Sequence, residues 1–245
     1  MGDMKILAMD TSNHPLSVAL VEDEQLVAET TLNLSKNHSV YLMPVIEKLM
    51  QAANWQPEQL DRVAVAKGPG SYTGIRIAVT TAKTLAATLN IELVGISSLK
   101  LIAANVARLM PNRLVVSFFD ARRGNVFAGG FKWHDNQLTT VVPEQHAQFS
   151  ELLVGLQDQE GALLVGDVTD ILKKQIQLTN GAKFELAPST ASIPSAYQLA
   201  LLSDQESPVN DIDGFIPNYL RVTEAEAQWQ KLHPGEINQS YVREV

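Results

Sequence analysis

Apolar residues along this chain fall in short runs divided by polar turns, and the period of the runs switches between that of a strand and that of a helix. Lys5-Ile-Leu-Ala-Met-Asp10 is a buried strand ending in an aspartate, and Thr11-Ser-Asn-His-Pro15 is turn chemistry. Leu16–Val21 and Gln25–Leu32 continue an antiparallel meander. His38–Asn54 has helical spacing, with Ser35 or Asn37 as candidate caps. Val63–Ala66 is a short apolar strand, Ile75–Leu89 a long helix, and Leu93–Ile96 a further strand. Ser97 caps a helix predicted to run to about Leu109, with Pro111 just past its end.

The pattern then restarts. Leu114–Asp120 is again a strand ending in an aspartate. Strands are predicted at Val126–Trp133, Gln137–Val142, Ala162–Gly166 and Lys183–Leu186, and helices at Glu144–Leu156, Val168–Leu178 and Ser195–Ser203. Both halves read three strands, helix, strand, helix, strand, helix, which is a repeat of topology with little repeat of sequence. Two α/β halves with mixed sheets, facing across a cleft, are expected. The expected bounds are 1–111 for the first domain, 112–206 for the second and 207–245 for a tail. Ile216-Pro-Asn-Tyr-Leu-Arg221 is the tail's apolar island and is expected to pack back on the first domain.

Between the Val63 strand and the Ile75 helix lies Lys67-Gly-Pro-Gly-Ser-Tyr-Thr-Gly-Ile-Arg76. Gly68, Gly70 and Gly74 open backbone conformations and close approaches that a Cβ forbids. Pro69 fixes one dihedral and removes a donor. Ser71 and Thr73 stand where a helix needs its first amides capped. Two readings follow: an anion site at a bare helix end, or a tight, well-capped turn. The spacing matches neither the P-loop nor the dinucleotide fingerprint.

Composition narrows the chemistry. The chain has 245 residues, enough for one large or two small domains. It has no cysteine, so thiol nucleophiles, disulfides and thiolate metal sites are excluded. A formal net charge of −8 disfavours tight nucleic-acid binding through its own surface. The sequence shows no leader and no apolar span, so a cytoplasmic protein without a membrane partner is expected. His38 begins a helix, but the positions where a second metal ligand would stand hold Tyr41 and Leu42, so no metal site is expected. Asp10 and Asp120, followed by Thr11-Ser12 and Ala121-Arg122-Arg123, are weak candidates for orienting a magnesium–phosphate group; their other role is to cap turn amides. Gly166-Asp167 is a weak candidate for an adenosine loop. No nucleophile–base pair is evident, and no catalytic residue or bound cofactor is expected.

Two helices are too apolar to have a core face only. In the helix after the glycine loop, Ile75, Ala78, Val79, Ala82, Leu85, Ala86 and Leu89 face the sheet, and the opposite face holds Ile77, Thr80, Thr81, Lys83, Thr84, Ala87 and Thr88. In the His38 helix, Leu42, Val45, Ile46, Leu49, Met50 and Ala53 serve the core while Val40, Tyr41 and Met43 remain outside. Exposed apolar patches of this kind mark partner sites.

These residues resemble the TsaB family, also called YeaZ, of the bacterial tRNA threonylcarbamoyladenosine system. The resemblance is carried by Ile6-Leu-Ala-Met-Asp-Thr-Ser12, His38-Ser39 with Leu42 and Pro44, Gly68–Arg76, Ala82-Lys83 with Leu85-Ala86, Gly95–Leu99, Asp120-Ala-Arg122 and Pro217–Arg221. It implies a duplicated actin-like fold (ASKHA, RNase H-like) and kinship with TsaD, the catalytic subunit. TsaD carries a metal-binding His-x-x-x-His on the equivalent helix; here His38 is followed by Leu42, so the resemblance implies a non-catalytic member. It further implies pairing with TsaD, a homodimer in isolation, recruitment of the ATPase TsaE, and tRNA contact only through the complex. The implied interface positions are His38, Tyr41, Leu42, Val45, Ile75, Ile77, Ala78, Val79, Thr81, Ala82 and Leu85. Two other readings stay open: an ATP-dependent small-molecule kinase of the actin-like superfamily, and a homodimeric regulator without a tRNA role.

Overall fold

A computed structural model describes residues 4–34, 37–159, 161–179 and 184–220. The candidate cap Ser35, the strand residue Lys183, Arg221 and the end of the tail lie outside the described residues. The first half contains β1 (Lys5–Asp10), β2 (Leu16–Glu22), β3 (Gln25–Leu32), α1 (His38–Ala53), β4 (Arg62–Ala66), α2 (Tyr72–Leu89), β5 (Glu92–Ile96) and α3 (Ser98–Ala107). The second contains β6 (Val115–Asp120), β7 (Asn125–His134), β8 (Gln137–Gln148), α4 (Phe149–Gly155), β9 (Leu163–Gly166), α5 (Asp170–Leu178), β10 (Glu185–Leu186) and α6 (Ala196–Ser203). Short 3₁₀ turns stand at Pro57–Gln59 and Ser189–Ser192.

The repeat read from the sequence is present in the pairing. The first sheet has the order β3-β2-β1-β4-β5, and the second, β8-β7-β6-β9-β10, runs through its strands in the same sequence of roles. In each, the meander is antiparallel and the central strand pairs in parallel with the strand after the first helix. This is the duplicated actin-like α/β arrangement.

Side-chain alternation builds the layers. In β1, Leu7 and Met9 point to an outer core under α1 and α2, while Ile6 and Ala8 point inward. In β4, Val63 and Val65 point out, Ala64 and Ala66 in. The inner core continues through α3 and α6 to the second sheet, where Val115 and Phe119 face it and Val116 and Phe118 face α4 and α5. The helices cross over: α3 packs on β6 and β7, and α6 packs on β1 and β2. Ala8, Ala19, Ala64 and Ala66 supply the small inner face that lets α6 approach the first sheet.

Two expectations are corrected. β8 runs on to Gln148, so the helix expected from Glu144 begins only at Phe149. After an irregularity at Gly129 and Gly130, the pairs Ala128↔Gln145 to Asn125↔Gln148 hold this stretch in the ladder, and it lacks a helical apolar face of its own. In the tail, Ile216 is 71% exposed, while Asn218 and Tyr219 of the same island contact Lys67 and Tyr72, so the apolar anchor lies just outside the expected island. The anchor is Phe215, whose ring occupies the space a Cβ would need at Gly95. Around it Val209 N–H donates to Leu93 O, and Lys83 Nζ donates to the carbonyls of Asp213 and Phe215 at 2.7 and 2.9 Å. The segment does return to the first sheet, and it covers the free edge of β5.

Candidate functional site

The glycine loop is closed by the chain itself. The Gly68–Pro69 peptide is cis. Gly68 has φ +102°, a conformation glycine adopts freely, and its N–H and C=O both pair with Ser98. Cβ atoms at Gly70 and Gly74 would overlap the carbonyl oxygens of Ser12 and Thr11. The turn after β1 therefore packs directly on the start of α2. Ser71 N–H donates to Ser12 O at 2.7 Å, and Thr11 Oγ1 donates to Gly74 O at 2.7 Å. Ser71 Oγ caps α2 by accepting from Gly74 N–H, and Thr73 is exposed in the first turn. Asn218 N–H donates to Lys67 O and ties the tail to the loop. Of the two sequence readings, these contacts are those of the capped turn.

The other nucleotide candidates fare alike. Asp10 is buried, and its Oδ1 accepts from Ser12 N–H at 2.7 Å. Asp120, its counterpart, is exposed and accepts from Arg122 N–H, so it caps a turn. Arg122, Arg123 and Gly124 follow with positive φ and shape the hairpin into β7. Gly166 lies against the backbone and ring of Phe118, its partner on the neighbouring strand. His38 Nε2 lies 3.0 Å from Asn13 O, tying α1 to the turn after β1. Among the described residues no group of three His, Asp or Glu side chains is placed to hold a metal ion.

Burial pushes the Asp10 carboxyl up from its ordinary 3.8 to about 6, with hydrogen bonding from Ser12 and the charge of His38 pulling the other way. The native state thus holds this proton more tightly than the unfolded chain does. The stabilisation is complete below about pH 4 and is lost as pH rises through about 6. Asp10→Asn, which never ionises, is expected to gain on the wild type across that window and to be more stable by about 2–3 kcal/mol at neutral pH. Denaturant midpoints at a series of pH values check this; parallel curves would refute it.

What remains open is the surface of α1 and α2. The groove between their first turns has a volume of about 440 Å³. Ser39, Leu42, Met43, Tyr72, Thr73, Arg76, Ile77, Thr80 and Thr81 line it. Beyond Met43 a second hollow of about 410 Å³ reaches Leu7, between Ile46, Met50, Trp55, Leu85 and Leu89. Val40 is 62% exposed and Met43 48%, so the apolar surface between the helices is not covered by the described tail. The implied interface divides here. Tyr41, Ile77, Thr81 and Leu85 reach the surface, and His38 is half-buried. Val45, Ile75, Ala78, Val79 and Ala82 are buried against the sheet and fix the helices rather than present themselves; Leu42 forms the groove floor. Sequence reasoning passed over Tyr72 and gave Met43 no place in the interface set. Tyr72 stood inside the glycine motif, and Met43 in the exposed apolar stripe.

Fold and surface together define a duplicated actin-like protein with a glycine loop packed on its own β1 turn and an open two-helix groove. The family model described as TsaD, tRNA N6-adenosine threonylcarbamoyltransferase, matches residues 25–229. A Bacillus subtilis protein named tRNA threonylcarbamoyladenosine biosynthesis protein TsaB is 40% identical over 92% of this chain and 98% of its own. A Buchnera aphidicola (subsp. Schizaphis graminum) protein of the same name is 30% identical over 74% of this chain and 84% of its own. The solved structure of YeaZ from Pseudomonas aeruginosa superposes with a TM-score of 0.75 at 22% identity, covering 89% of this chain and all of that one. The chain belongs to the TsaB family, a branch of the wider TsaD family.

Proposed function

We propose that this chain is the non-catalytic partner of the threonylcarbamoyl transferase TsaD in making threonylcarbamoyladenosine in tRNA. The observation that carries this reading is the pairing of an open apolar α1–α2 groove with a glycine loop packed tightly on the chain's own β1 turn. A working kinase of this fold needs strand-end carboxylates free to hold a metal–phosphate group. Here Asp10 is buried and accepts from Ser12 N–H, and exposed Asp120 accepts from Arg122 N–H. The transferase docks on the groove through Tyr41, Met43, Ile77, Thr80, Thr81 and Leu85. Without the transferase, a second copy of this chain occupies the same face. TsaE joins the assembled pair, and the complex works in the cytoplasm. No described helix is long and apolar enough to cross a membrane.

Size-exclusion chromatography of the chain mixed with TsaD, followed by a transfer assay on tRNA, tests the proposal. The two proteins are expected to elute together, and transfer is expected to need both. Transfer or ATP turnover by this chain alone would overturn the reading.

A further inference from the structure

We propose that Tyr72, Arg76 and Tyr219 form a stacking platform for one unpaired RNA nucleotide, with its base on the tyrosine faces and its phosphate on the guanidinium. Tyr72 opens α2, and Tyr219 comes from the C-terminal segment. Their ring centroids lie 5.1 Å apart with planes 29° from parallel. Arg76, one turn along α2, donates from its NH1 nitrogen to Tyr72 Oη at 2.8 Å, and its guanidinium lies 5.3 Å from the Tyr72 ring centroid. Asn218 N–H, bound to Lys67 O, fixes the backbone beside Tyr219 and hence the stack.

A structural role alone accounts poorly for this cluster. Tyr72 is 49% exposed, Tyr219 39%, and Arg76 is exposed, so the rings meet in water rather than in a core. Arg76 bonds to the Tyr72 hydroxyl, is drawn to that of Tyr219 as well, and makes no ion pair with a carboxylate among the described residues. In a chain of net charge −8, that leaves an uncompensated guanidinium beside the outer side of a tyrosine stack. An acidic peptide would use the charge and leave the faces idle. A nucleotide uses both, since every base has a face to stack and every phosphate suits an arginine fork. Unstacked loop bases are the part of an RNA that offers itself this way.

The location fits the reading of the chain as a TsaD partner, on which this proposal rests. Tyr72 and Arg76 also line the groove assigned to the transferase, so the platform borders the docked enzyme and the RNA that the enzyme holds. The acidic charge of the chain limits it to a local contact, not a general RNA surface.

The test is fluorescence polarisation of a fluorescein-labelled tRNA anticodon stem-loop, titrated with the assembled chain–TsaD complex at several salt concentrations. Tyr219→Ala is expected to weaken binding about 5- to 30-fold, whereas Tyr219→Phe keeps it. Arg76→Ala is expected to weaken it too and to lower the salt slope by about 1. Co-elution with TsaD should be unchanged in the two Tyr219 variants, since Tyr219 does not line the groove. Unaltered RNA affinity in Tyr219→Ala overturns the platform. So does loss of co-elution in that variant, which would make the cluster a protein contact. If the wild-type proteins fail to co-elute, the partner reading falls instead. The titration is then made with the full chain alone, where loss of stem-loop binding in Tyr219→Ala supports the platform and absence of wild-type binding refutes it.

Discussion

Gly74→Ala is expected to cost about 4 kcal/mol or more of folding stability, although it replaces a glycine within a helix. By helix propensity alone the change should help, by about 1 kcal/mol. Position 74 is where α2 leans on the end of β1, and the new methyl group would overlap the carbonyl oxygen of Thr11. Carbon and carbonyl oxygen need roughly 3.3 Å, so either the helix or the strand end must retreat by about an ångström. That movement breaks the 2.7 Å bond from Thr11 Oγ1 to Gly74 O and the 2.7 Å bond from Ser71 N–H to Ser12 O. It also disturbs buried Asp10, one residue before Thr11. The obstacle is backbone, not a side chain that can swing away. The control is Gly155→Ala in α4, where a Cβ meets nothing within 4 Å. That change is expected to be neutral or to stabilise by about 0.5–1 kcal/mol. Thermal or denaturant unfolding of both variants checks the contrast, and equal effects would contradict it.

Arg62→Ala is expected to be the next most damaging change, at about 2–4 kcal/mol, which for this chain length lowers Tm by roughly 4–16 °C. Arg62 stands at the start of β4 with its side chain 10% exposed. Its Nε and NH2 nitrogens grip Glu92 Oε2 at 2.8 and 2.7 Å. Its NH1 nitrogen donates to Asp204 Oδ1 at 2.6 Å and to Oγ of Ser203, the buried last residue of α6, at 3.2 Å. One side chain thus joins two strands of the first sheet to the crossed-over helix. Glu92 and Asp204 are 45% and 43% exposed, so water can take them back when the arginine is removed. This keeps the expected cost below that of a fully buried pair. Arg62→Lys should recover less than half, because an ammonium cannot serve both carboxylates with the same fork. The neighbouring residues extend the tie: Gln205 Oε1 accepts from Leu138 N–H of β8, and Glu206 pairs with Lys100 of α3 at 2.5 Å. Residues 204–206 therefore reach the first sheet, the second sheet and the helix between them.

The repeat was legible because each half alternates strand and helix periods cleanly, and strand-end aspartates mark the same place twice. The glycine loop was legible as a close approach, but not what approaches. Spacing says that Gly70 and Gly74 admit something without a side chain in the way; only the fold shows it to be Thr11 and Ser12. The crossing of α3 and α6 was hidden, because a helix's apolar stripe does not record which sheet it meets. The tail's apolar island was read as Ile216–Arg221, and the ring just before it, Phe215, escaped notice because its socket at Gly95 is a long-range fact. The β8 overrun shows a ladder overriding weak local preference. Helical spacing had already assigned Val79 and Ala82 to the core, and their burial agrees; counting them among interface residues overlooked that pattern.

The most direct test of the docking account is co-elution of TsaD with chains altered at Met43 or Thr80, which are exposed and can change without touching the core. With Met43→Arg or Thr80→Arg, the chain should keep its wild-type Tm and elute apart from TsaD. If both folded variants still elute with TsaD as the wild type does, the groove between α1 and α2 is not where the partner binds.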